Sequence, residues 1–94
     1  MENKELTKLE KFDIAITKEW AKLNDVYDYL SVSGKARCEA FKSVIWLTSF
    51  YEDLSDLYES EDFNSLFTIG GKDPMFYRTL DMLKSTIERW IRKD

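Results

Sequence analysis

Ninety-four residues leave room for one hydrophobic core and not two. The chain is 34% charged and 44% apolar, a balance that excludes disorder by composition, and its net charge of −4 disfavours general affinity for nucleic-acid phosphates or anionic membranes. Aromatic residues reach 15%, rich for so small a chain, so some rings are expected to stay exposed, as at interfaces.

The opening MENKELTKLEKF has no apolar stretch of the signal-peptide kind, and the longest apolar run, Val44-Ile45-Trp46-Leu47, is far too short to span a bilayer. With Cys38 as the single cysteine, no intrachain disulfide is expected, and the compartment is read as cytoplasmic.

The first element is a helix over residues 6–30. Leu9, Ile16, Leu23 and Leu30 recur every seven residues, with Phe12 and Val26 at the complementary positions. Thr7 and Glu10 fit a capping box, and residues 2–6 could extend the helix by a turn. Asn24-Asp25 is its weak point, open to a kink, because both side chains compete for backbone hydrogen bonds.

Ser31-Val32-Ser33-Gly34 is the first break, with Gly34 permitting a turn and either serine able to cap the next helix. That second helix is predicted from about Lys35 to about Glu59 on the stripe Ala40, Val44, Leu47, Tyr51, Leu54 and Tyr58. Phe41, Ile45, Trp46, Phe50 and Leu57 widen its apolar surface until it covers most of the circumference between 40 and 50. These residues cannot all share one face, so part of the surface around Trp46 and Phe50 is expected to meet another chain.

Residues 60–73 read as the longest connection, with Phe63, Leu66 and Phe67 making one or two helical turns before Gly70-Gly71 breaks the chain. Asp73-Pro74 then marks a helix start, with Asp as N-cap and Pro where a missing N–H costs nothing. The last helix runs from Pro74 to about Arg92 on the seam Phe76, Leu80, Leu83, Ile87 and Trp90, with Arg89, Arg92 and Lys93 suiting its C-terminal dipole. No β pattern appears. The expected fold is all-α: an antiparallel three-helix bundle in a single domain over residues 1–94, with a short extra helix before the last.

Chemistry is sparse. Histidine is absent, which removes the commonest general base and every His-containing metal motif. Cys38 has no base beside it in sequence and reads as a structural thiol, although Lys35, Arg37 and Lys42 flank it. Glu52, Asp56 and Glu59 would share one helix face but lack the spacing and central glycine of a calcium loop. Ile69-Gly70-Gly71-Lys72 lacks the Ser/Thr of a phosphate loop. A helix-turn-helix reading of the first two helices fails on charge, because the surface beyond Arg37 and Lys42 soon turns apolar or acidic. No catalytic, cofactor or metal residue is therefore assigned, and the chain is read as no enzyme.

The charge distribution is the remaining signal. No Lys or Arg lies between Lys42 and Lys72, and that stretch holds six acids: Glu52, Asp53, Asp56, Glu59, Glu61 and Asp62. On the predicted helix they crowd its C-terminal end, where negative charge is unfavourable. The basic C-terminus of the last helix should lie remote from them. These six, with Trp46 and Phe50, are the expected contact residues for another protein carrying a basic patch. The functional expectation is a small non-enzymatic protein-binding module. It would act as a stoichiometric regulator or inhibitor of the kind carried by phages and mobile elements, or as an immunity protein or antitoxin. The alternatives are a homodimeric or larger assembly subunit and a small-ligand binder.

Overall fold

The computed structural model describes residues 5–70 and 72–93. Residues 2–4, a possible extension of the first helix, and Gly71, part of the expected break, lie outside them. Among the described residues there is no strand. The chain forms five α-helices and one 3₁₀ turn: α1 Lys8–Asp25, the turn Tyr27–Tyr29, α2 Val32–Thr48, α3 Leu54–Glu59, α4 Glu61–Ile69 and α5 Pro74–Arg92.

Local chemistry sets most boundaries. Thr7 caps α1: its hydroxyl accepts from the Glu10 N–H at 3.1 Å, and the Glu10 carboxylate accepts from the Thr7 N–H at 2.9 Å. Residues 5–7 are not helical. The helix ends at Asp25, where Asn24 and Asp25 weaken it, and Tyr27–Tyr29 tightens into the 3₁₀ turn. Ser31 is the cap of α2, accepting from the Gly34 N–H at 3.1 Å. Helix α2 therefore starts at Val32, three residues earlier than expected, and Gly34 lies inside its first turn with no positive φ. Asp73 caps α5 through the Met75 and Phe76 N–H groups, with Pro74 behind it.

The expected second helix is the main correction. It does not run to Glu59 but stops at Thr48. The Thr48 hydroxyl turns back to donate to the Ile45 carbonyl at 2.6 Å, and Ser49 does the same to Trp46 at 2.7 Å. Side-chain bonds of this kind compete with the helical ladder. Asp53 and Ser60 then act as fresh N-caps, for α3 through the Ser55 N–H and for α4 through the Phe63 N–H. The acidic run thus falls largely at helix starts: Asp53 is a cap, Asp56 lies in the first turn of α3, and Glu61 and Asp62 lie in the first turn of α4. Negative charge is favourable there, which reverses the expectation of crowding at an unfavourable C-terminal end; only Glu59, last in α3, keeps that position. Asp53→Ala should accordingly destabilise the fold by about 1 kcal/mol, read from urea midpoints, whereas Asp53→Asn, which can still cap, should leave the midpoint nearly unchanged.

The core gathers from every helix. Leu9, Phe12 and Ile16 of α1, Ala40, Phe41, Val44 and Leu47 of α2, Leu54 and Leu57 of α3, Phe63 of α4, and Leu80, Leu83 and Ile87 of α5 are all buried. Leu23, expected inside, is only partly buried at the edge. Helix α2 packs against both α1 and α5, α3 against α5, and α4 touches α2, α3 and α5. The Thr48 hydroxyl oxygen at the end of α2 also lies 3.0 Å from the Asp13 carboxylate of α1, so its one proton is shared between Asp13 and the Ile45 carbonyl, and Phe12 sets its ring edge-on to Trp90 at 5.8 Å. The stripe read for one helix is thus delivered by α2 and α3 on either side of a break.

Candidate functional site

Burial leaves a set of large apolar side chains behind on one surface. Trp46 is 65% exposed, Phe50 60% and Ile69 77%. Trp46 and Phe50 sit edge to face with centroids 4.7 Å apart, so the α2 end of this surface is a preformed aromatic pair. Helix α4 crosses beside α2, and between them opens a groove of about 640 Å³. Trp20, Ile45, Trp46, Leu66 and Ile69 provide its apolar lining; Glu39, Lys42 and Asp62 provide its charges. Only the docking of α4 creates it, because Leu66 and Ile69 come from a segment the sequence reads as a connection.

A second depression lies past the end of α2. Thr48, Tyr51 and Glu52 form one side, and Thr7, Leu9, Glu10 and Asp13 from the start of α1 form the other. It is continued by a slightly smaller one that adds Lys8, Asp53, Leu54 and Asp56. Among the described residues, the lining of this cleft carries five carboxylates and the ammonium of Lys8. Lys8 is turned away to the last carbonyls of α5, donating to Ile91 and Lys93. Among the described residues none of the six acids from Glu52 to Asp62 forms an ion pair; the one present is Glu19–Lys22.

The groove and the cleft share a wall. Tyr51, on the cleft side, donates its hydroxyl proton to Asp62, on the groove side, at 2.7 Å. The Tyr51 phenol is held above its ordinary value: the Ser60 hydroxyl favours its ionised form, but the Asp62 carboxylate that accepts its proton, with partial burial, outweighs that. Tyr58 is raised in the same way by its 2.6 Å bond to Glu88, while Arg92 opposes the shift. The Tyr58–Glu88 bond sets the second half of α5 against α3, and Lys8, which lines the cleft with Asp53 and Asp56, binds the carbonyls at the end of α5, so the basic C-terminus lies close to the acidic run. The expectation that it lies remote from the acidic run is corrected accordingly.

The eight expected contact residues are only partly brought together. Trp46 and Asp62 line the groove, and Phe50 stands beside Trp46. Glu52, Asp53 and Asp56 line the cleft. Glu59 and Glu61 are exposed but line neither. Missed by sequence reasoning were Leu66 and Ile69 in the groove and Glu10 and Asp13 in the cleft, which join these sites only through packing.

Cys38 is buried, and that burial raises its thiol above the ordinary value, with Glu39 adding to the shift and Lys42 opposing it. The Trp20 indole N–H faces this thiol without reaching hydrogen-bond geometry and is otherwise unpartnered. A buried protonated thiol is a packing group. Among the described residues no three His, Cys, Asp or Glu side chains gather in a way that would hold a metal ion, and no helix is long and apolar enough to cross a membrane. Comparison with protein-family models, with curated proteins and with solved structures finds no match to this chain.

Proposed function

We propose that this chain is a non-enzymatic protein-binding module acting through the α2–α4 groove and the acidic surface beside it. Its three long helices α1, α2 and α5 serve as an antiparallel scaffold, and α3 and α4 dock on it to shape the contact face. The observation that carries the reading is the exposure of Trp46, Phe50 and Ile69 around one apolar groove. Isolated exposed apolar residues are ordinary, but a cluster of aromatics rimmed by charge is what interfaces present. The carboxylates of the run, which form no ion pair among the described residues, add to it, since charge of one sign on a surface steers a complementary partner. Small size and acidic charge suit stoichiometric regulation, as by phage-borne inhibitors, immunity proteins or antitoxins, and we place the chain in that class.

The test compares wild type with Trp46→Ser/Phe50→Ser as baits for partner capture, with circular dichroism and light scattering on both. Because both rings are exposed, the double variant should fold as well as wild type. Its affinity for a captured partner should fall about tenfold or more, as for truncated aromatic hot spots. Equal capture by both baits, with both monomeric, would remove the groove from the interface. A wild-type dimer that the double variant dissociates would show an assembly subunit instead.

A further inference from the structure

We infer that the element bound is a basic amphipathic α-helix of another protein, its apolar face in the α2–α4 groove and its Lys or Arg side chains over the adjoining acidic cleft. This rests on the protein-binding reading and names the partner's class.

Four features converge on it. The groove runs along α2 from Glu39 to Leu47 and along α4 from Asp62 to Ile69. Each wall is therefore roughly 10–12 Å long, or about two helical turns at 1.5 Å per residue. That span takes apolar anchors at i, i+3 or i+4, and i+7 of a docked helix. An extended peptide fits less well, because among the described residues no sheet edge offers it backbone partners.

Charge gives the second feature. Where the groove ends, across the Tyr51–Asp62 wall, the cleft begins with Asp13, Glu52, Asp53 and Asp56 among its carboxylates. The C-terminal end of α2 points its negative dipole into the same region, and its last turn carries no basic residue. A ligand with apolar residues followed by cations matches both depressions at once.

The third feature argues against a second copy as the occupant. The chain's own basic amphipathic helix is α5, but Leu80, Leu83 and Ile87, its apolar face, are no more than 2% exposed in its own core. A symmetric pairing of groove on groove would set the same carboxylates against each other.

The fourth is that, among the described residues, no cation forms an ion pair with Asp13, Glu52, Asp53 or Asp56, even though the basic end of α5 lies near. Lys8 is held by the Ile91 and Lys93 carbonyls, and Lys42 lies on the groove, six residues before the end of α2.

The probe is a synthetic helical peptide of roughly 16 residues, long enough to be induced into a helix. It carries Leu at i, i+3 and i+7 and three Arg at one end. Two control peptides replace the Arg with Glu or the Leu with Ser. Binding is read from tryptophan emission and peptide helicity at low salt. Only the Leu/Arg peptide should bind and become helical. Trp46→Ser/Ile69→Ser should weaken it at least tenfold. Glu52→Gln/Asp56→Asn should weaken it several-fold, and that loss should vanish for a peptide whose Arg are replaced by Gln. Asp25→Asn/Asp81→Asn, which changes charge by the same amount outside both depressions, should have little effect.

Equal losses from the remote and the cleft pairs would reduce the effect to net charge and overturn the inference. Tight binding of the Leu/Glu peptide would overturn the basic partner while leaving a protein-binding groove. A co-purified small molecule seen by native mass spectrometry and lost in Trp46→Ser/Ile69→Ser, with no peptide bound, would overturn both.

Discussion

Phe63→Ala should lower the unfolding free energy by about 3–5 kcal/mol. Phe63 is fully buried, sets its ring edge-on to Phe67 at 5.5 Å and joins core residues from all four other helices. Phe67 in turn meets Tyr77 at 5.4 Å and lies under the Lys84 ammonium, so the ring ties α4 to α5. Truncating Phe63 leaves a void that a nine-residue helix cannot close without leaving its place. A domain of this size commonly holds only about 5–15 kcal/mol in all, so the variant stands near loss of the fold. Urea unfolding followed by circular dichroism measures the shift, with Leu83→Ala, at about 2–5 kcal/mol, as the reference for a deep site on a long helix. A cost below about 1 kcal/mol at Phe63 would mean that α4 is not part of the core, and the groove it walls would lose its basis.

Gly70→Ala should cost about 1–3 kcal/mol, the range for overpacking. The φ of Gly70 is −87°, which any residue adopts, so no backbone freedom is lost. The cost comes from space. An added Cβ would overlap the Phe76 ring and stand 3.2 Å from the Leu66 carbonyl oxygen. Phe76 packs against the core and cannot swing out freely. Combining Gly70→Ala with Phe76→Leu should recover part of the loss, because the two residues are in contact and their effects should not add. If Gly70→Ala is neutral on its own, the end of α4 yields easily and the approach to Phe76 is not tight.

Much of the scaffold could be read from the chain itself, because its signals are local. The Thr7–Glu10 box and Asp73-Pro74 place two helix starts within a few residues, and the seven-residue repeats choose the inner faces of α1 and α5. The excess of apolar residues around 40–50 also announced that something there must stay outside, as Trp46 and Phe50 do. The break after Thr48 was hidden because the apolar spacing continues through Leu47, Tyr51, Leu54 and Tyr58 as if one helix carried it. Against that stripe, Ser49, Asp53 and Ser60 are weak signals one by one. Which of them caps a helix depended on α3 finding α5 and α4 finding α2, interactions between residues far apart in sequence. The same long-range packing turned the acidic run from a liability into helix starts, made Gly70 a matter of room beneath Phe76, and set Ile69 across from Trp46. Composition determined that this chain is helical, acidic and over-supplied with rings; only tertiary packing decided where the rings and the carboxylates would meet, because a groove between two helices exists only once both have docked.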